Sequence, residues 1–252
     1  MPAARTLTPV RDPEGTAPAT RERGINPRLY RLLAWLSPGF PVGSFSFSHG
    51  LEALVDSGAV RDRTSLEHWV GAVVVSGSGR IDADIVREAH RAAAAGDVDL
   101  LTDANLRGIG FRGTAETRVE ATAQGEAFLA ACRGAWPEPF LDHWATRLEK
   151  SDMPVCYAAA VGAATARAGI PLRWALTGYL QAMAANLVSA GLRLGTIGQT
   201  DGQRVLAALE PLIDTAVIGT LARDPGSFGS ATFATELASI AHETLHTRLF
   251  RS

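Results

Sequence analysis

Thr64-Ser65-Leu66-Glu67-His68-Trp69-Val70-Gly71-Ala72-Val73-Val74-Val75 is the stretch on which the fold class turns. It ends in three β-branched valines, which by propensity favour a strand. Its apolar positions oppose that. Leu66, Trp69, Val70, Val73 and Val74 recur three and four residues apart, the spacing of one helical face rather than the two-residue alternation of a half-buried strand. Thr64 to Glu67 has the form of a capping box ahead of that stripe, so the segment is predicted to be a helix opening at Thr64.

The same period runs outward in both directions. Asn26 followed by Pro27 forms an N-cap and first helical position, with Leu29, Leu32, Leu33 and Leu36 behind it, and that helix stops at Ser37-Pro38-Gly39. Pro41 and Gly43 make 37–43 a loop, and a short helix is expected from His49 to Asp56. Further helices are expected over 81–95, 99–107, 114–132, 139–149, 154–168 and 171–189. A glycine-rich loop from Gly191 to Gly198 follows, then helical stretches on either side of Pro211, a turn at Asp224-Pro225-Gly226-Ser227 and a last helix over 231–248. No stretch alternates convincingly and no repeat period appears. The expectation is an all-α fold, a single-domain bundle of about ten helices over 26–252, behind a disordered tail, 1–25, rich in Pro, Thr, Ala and Arg.

Composition narrows the function. With 252 residues, 46% hydrophobic and 20% charged, the chain can bury a full-sized core. A net charge of -2 gives no electrostatic reason to expect nucleic acid or an anionic membrane as a partner. No run reaches about eighteen consecutive apolar residues, and the amino-terminal stretch lacks the apolar block of a secretory signal. Cys132 and Cys156 are too few and too isolated for a disulfide scaffold or a thiolate zinc site; they read as small buried hydrophobes in a reducing, cytoplasmic compartment.

Three chemical patterns invite an enzyme reading. His242-Glu243-Thr244-Leu245-His246 has the zinc-peptidase spacing, two imidazoles one helical turn apart with a carboxylate beside the first. No third ligand follows in the last six residues, so the pattern reads as two helical histidines, with a zinc metallopeptidase kept as the alternative. The glycine clusters at 77–79 and 191–198 lack the lysine a phosphate loop requires, Lys150 being the only lysine in the chain. No Gly-x-Ser-x-Gly elbow is present to build a nucleophile. What remains is a loop, Gly43 to Gly50, in which serines alternate with Phe45 and Phe47, and a basic, apolar ending, Arg248-Leu249-Phe250-Arg251-Ser252. The phenylalanines either plug the core or present a partner surface, and the ending either frays or docks.

Taken together, these segments resemble the UreF family of urease accessory proteins. The resemblance rests on 32–52, where Ser37-Pro38 precedes Pro41-Val42-Gly43, the Ser/Phe alternation and Gly50-Leu51-Glu52. It continues through Ser151-Asp152-Met153-Pro154-Val155 to Gly169-Ile170-Pro171-Leu172, through Leu194 to Arg204 with Gln199 and Gln203, and into His242-Glu243-Thr244 and the last five residues. Phe47 stands where tyrosine is common in that family, so no hydroxyl is available there. The resemblance implies a non-enzymatic chaperone, a homodimer that binds UreD (also called UreH) and recruits the GTPase UreG. That assembly delivers nickel to apo-urease, with no cofactor held stably by this chain. It implies partner contacts at Phe45, Ser46, Phe47, His49, Gln199, Gln203, Arg248, Leu249, Phe250, Arg251 and Ser252. Besides the peptidase, a helical interaction module of an unrelated complex stands as the second alternative.

Overall fold

The computed structural model describes residues 25–230, 233–246 and 248–251. The expected tail lies outside the described residues from 1 to 24, as do the first two residues of the expected last helix and Ser252. Eleven α-helices and no strand occur among the described residues: α1 (Pro27–Trp35), α2 (Leu51–Asp56), α3 (Arg63–Ser76), α4 (Ser78–Ala95), α5 (Val98–Gly110), α6 (Ala115–Ala135), α7 (Pro139–Lys150), α8 (Tyr157–Arg167), α9 (Leu172–Arg193), α10 (Gln199–Ala222) and α11 (Phe233–His242). A 3-10 turn, Ser44–Ser46, sits between α1 and α2. The fold is an all-α single-domain bundle, its helices sharing one contiguous apolar core.

Helix starts follow the expected chemistry at α1 and α6, while α2, α3, α4 and α8 open at Leu51, Arg63, Ser78 and Tyr157 instead of at the expected 49, 64, 81 and 154. Asn26 caps α1, its side chain accepting from the Arg28 and Leu29 amides, and Thr114 caps α6 in a capping box with Thr117. The box of α3 is closed by Asp62 and Ser65, not Thr64. Asp62 Oδ1 accepts from Ser65 N at 2.9 Å, and Ser65 Oγ accepts from Asp62 N at 3.1 Å. Asp62 is the residue with extended backbone, and its anionic side chain suits the positive end of the helix; Thr64 lies one residue inside the first turn. The valines of α3 are helical as the period requires, with Val70, Val73 and Val74 fully buried.

α8 is buried on every side and sits against α4 at the centre, with α3, α5, α9 and α10 also packed on α4. Alanines 158, 159, 160, 163 and 164 and Gly162 thin α8 so that it can approach; a Cβ on Gly162 would lie 2.6 Å from the Val86 carbonyl oxygen. Around one end of this pair Trp35, Phe40, Phe128, Trp136, Tyr157 and Tyr179 stack edge-on or tilted, tying α1, the following loop, α6, α8 and α9 together. Such pairs add about 0.5–1.5 kcal/mol each beyond their buried area. Cys132 and Cys156 are buried free thiols, and burial pushes Cys132 up to about 12.

Two expected breaks are absent. α9 continues to Arg193, so Gly191 is helical; a Cβ there would lie 2.7 Å from Leu66 Cδ2, and the loop reduces to 194–198. α10 runs through Pro211, which is exposed, so the hydrogen bond that proline removes is lost where water can replace it. α10 is also the one helix among the described residues long and apolar enough to cross a membrane by length and composition, at mean hydropathy 1.6. Here Val205, Leu209, Ile213 and Val217 pack it on α3, α4 and α9. Its last carbonyls are held by Arg87, a fully buried guanidinium that donates to Thr220 O and Arg223 O and pairs with Asp84 at 3.3 Å.

Candidate partner-binding surface

The Phe loop and the chain ending, 200 residues apart in sequence, form one structure. Gly43, His49 and Gly50 all have positive φ (72°, 55° and 77°), and these bends fold the loop around its 3-10 turn. They send the two phenylalanines opposite ways: Phe45 is 66% exposed, whereas Phe47 is 3% exposed and packed inside. A Cβ on Gly50 would lie 2.6 Å from Ser239 N and 2.7 Å from Ala238 C, so glycine is required for α11 to lie against α2. Thr114 Oγ1 and Ser239 Oγ, 2.8 Å apart, fasten α11 to α6 on its other side.

After α11 the chain turns back over the loop as a hook. Arg251 N donates to Ser46 O at 2.8 Å. Leu249 N and Phe250 N donate to the two oxygens of Glu52 at 2.7 and 3.1 Å. Phe250 is 3% exposed, its ring covered by the Arg193 guanidinium, which also donates to Phe45 O. Leu249 remains 62% exposed, and Arg248 and Arg251 are exposed beside it. The result is an outward face carrying Phe45 and Leu249 with a basic rim, anchored from within by Phe47 and Phe250.

Beneath the hook lies a charged network. His242 is fully buried, Nε2 3.1 Å from Glu52 Oε2 and Nδ1 2.9 Å from Glu116 Oε2, and Glu116 Oε1 also accepts from Arg248 at 3.1 Å. α11 ends at His242, so His246, which is exposed, does not share a helical face with it. Both ring nitrogens of His242 are turned to carboxylates. Among the described residues no group of three or more His, Cys, Asp and Glu side chains is arranged to hold a metal ion. The peptidase reading is therefore overturned by tertiary geometry.

Behind the loop opens a cavity of about 210 Å³, lined among others by Phe45, His49, Asp82, Arg112, Glu120 and Tyr179. Its charges are paired: Arg112 with Asp82, and His49 Nδ1 with Glu120 Oε2 at 2.9 Å, while Tyr179 donates its hydroxyl proton to Asp82 at 2.8 Å. Burial opposes a charge on His49, but Glu120 outweighs it through charge and hydrogen bonding, and the imidazole is held above its ordinary value. Burial, reinforced by Asp82, pushes the Tyr179 hydroxyl well above its usual range.

Of the expected contact residues, Phe45, Ser46, Phe47, His49 and 248–251 come together. Gln199 and Gln203 are exposed on the first turns of α10 and join none of the hydrogen bonds of loop or hook among the described residues. Glu52, Glu116, Arg193 and His242, which hold the surface in shape, were not among the expected residues. Glu52 follows the Gly50-Leu51 signal directly, but nothing in its neighbourhood announces that it will receive amides 197 and 198 positions downstream.

The fold and this surface are those of an all-helical protein with neither a phosphate loop nor a metal centre among its described residues. The UreF family model matches residues 60–210. Proteins named urease accessory protein UreF are similar along nearly the whole chain. One from a Bradyrhizobium species is 44% identical, covering 90% of this chain and 93% of its own. One from Azorhizobium caulinodans is 45% identical (92% and 98%), and one from Xanthobacter autotrophicus 46% (89% and 91%). The chain belongs to the UreF family of urease accessory proteins, and like them it is not itself an enzyme.

Proposed function

We propose that this chain is a urease maturation chaperone of the cytoplasm that binds a UreD-type (UreH-type) protein through the loop and hook, recruits a UreG-type GTPase, and so hands nickel, as cargo, to apo-urease. The observation that carries the reading is that Phe45 and Leu249 are held outward by a built framework instead of hanging from free segments; large exposed apolar side chains with a basic rim are the composition of a contact patch. Phe47 and Phe250 then act as anchors, and Ser46 and His49 shape the loop. Gln199 and Gln203, apart from this patch, suit a second partner. The absence of a phosphate-loop lysine in the sequence fits a companion of a GTPase. A homodimer is supported by the exposed apolar side chains of α1 and α10, Leu29, Tyr30, Leu33, Leu212 and Ile218 among them. Deleting the chain from its host is expected to abolish urease activity while the urease subunits persist, with partial rescue by excess nickel. Unchanged activity sinks the proposal, and failure to co-purify with UreD favours a module of an unrelated complex.

A further inference from the structure

Three hydrogen-bond donors of the cavity behind the loop meet no acceptor among the described residues, and all three gather around Asp82. Arg112, its side chain 7% exposed, donates through Nε to Gly108 O at 2.9 Å and through Nη2 to Asp82, while its Nη1 is left over. Ser78, one helical turn before Asp82 on α4, has a buried hydroxyl without a partner. Tyr157 on α8 holds its ring 5.5 Å from that of Tyr179, the residue whose hydroxyl donates to Asp82 at 2.8 Å, and its own hydroxyl joins no hydrogen bond. Buried donors are ordinarily paired, so three unpaired ones grouped in one cavity mark a place for an acceptor. Asp82 offers the reverse: each of its carboxylate oxygens accepts one bond and keeps a lone pair.

The rest of the wall is largely apolar, with Leu36, Val42, Phe45, Ala182, Met183 and Leu187 in it. At about 210 Å³ the cavity exceeds the roughly 150 Å³ that takes a benzene molecule, so a ring with a small polar head fits. Charge decides what that head is. Arg112 is balanced by Asp82, and Glu120 faces His49 at 2.9 Å; with or without a proton on His49, the floor has no net positive charge to set against an anion. We propose that the cavity binds a small neutral carboxamide with an apolar body. Its carbonyl oxygen accepts from Arg112 Nη1 and the neighbouring hydroxyls of Tyr157 and Ser78, its N–H groups donate to Asp82, and its body lies against the apolar wall. Occupancy of this site does not depend on the loop and hook being a docking surface.

Benzamide, benzoate and toluene share a ring and differ in its head. Each is titrated into the full chain and followed by NMR at the Tyr157 and Tyr179 rings and the Met183 methyl. Benzamide is expected to give saturable shifts, with toluene and benzoate each weaker by about tenfold or more, toluene for want of hydrogen bonds and benzoate for its unbalanced charge. Tyr157→Phe, which removes only the unpaired hydroxyl, is expected to weaken benzamide by about two- to tenfold, the worth of one hydrogen bond, and to leave toluene unchanged. Should that variant fail to fold, Ser78→Ala supplies the same pair of measurements. Absence of a saturable benzamide shift, or toluene or benzoate binding as tightly as benzamide, overturns the site, and so does benzamide affinity unmoved by the loss of the hydroxyl. Saturable benzamide binding in a chain that fails to bind a UreD-type partner sinks the docking reading alone and leaves the carboxamide site supported.

Discussion

The guanidinium carbon of Arg193 lies 4.4 Å from the centroid of the Phe250 ring, so that the last turn of α9 covers an aromatic side chain two residues from the end of the chain. With the same group donating to Phe45 O, Arg193 clamps loop and hook at once.

Phe250→Ala removes that ring. Burying a phenylalanine contributes about 1.5–3 kcal/mol and a cation over its face about 0.5–2 kcal/mol. The hook is expected to lose its amide protection at 249–251, while the urea unfolding transition of the bundle moves little, because no helix depends on the ring.

Phe45→Asp and Leu249→Asp test the outward face. Both side chains are mostly exposed, so stability is expected to stay within about 0.5 kcal/mol of the natural protein. Binding to a UreD-type partner, measured by calorimetry, is expected to weaken by about tenfold or more, as for a central contact residue.

Gly50→Ala tests how α11 is seated. The substitution forces a side chain into a left-handed backbone conformation, at about 1–2 kcal/mol, and drives its Cβ against the Ala238–Ser239 backbone. Loss of amide protection in α11 and the hook together, with α4 and α8 still protected, is the expected pattern.

Arg87→Ala removes one of the two guanidinium partners of buried Asp84, Arg223 remaining at 2.6 Å, and leaves the end of α10 without its clamp. A loss of about 1–3 kcal/mol in urea unfolding is expected, from the buried carbonyls left without a donor. Arg87→Met, which fills the space, is expected to cost less than alanine.

His49 sets a pH dependence of its own. Its folded value is raised above the ordinary one because Glu120 outweighs burial. A raised histidine contributes stability fully present below its unfolded pKa and lost as pH rises through the folded one. Unfolding free energy measured across that window should therefore decline with rising pH, and His49→Gln should flatten the decline.

Helix periods and caps were legible because they are written within a few neighbouring residues: Leu66 to Val74 on one face, Asn26 beside Pro27, Thr114 ahead of α6. Local sequence misleads where distant packing overrides it. Thr64 reads as the cap, yet Asp62, with its extended backbone, closes the box. Gly191 reads as a loop residue, yet it is a helical position kept small by Leu66 on α3. Pro211 reads as a break, yet α10 is carried through it by burial of Val205, Leu209, Ile213 and Val217 on either side.

The sequence by itself determined the all-α class, the lack of a phosphate-loop lysine and the resemblance to the UreF family, since period, residue identity and motif order are local properties. Tertiary structure alone decided that Phe45 faces out and Phe47 in, that the ending docks, and that His242 turns from a zinc-like motif to Glu52 and Glu116. Those outcomes depend on contacts between residues as far apart as Glu52 and Phe250. A side chain's burial is set by whatever the rest of the chain brings against it, and no neighbouring residue records that.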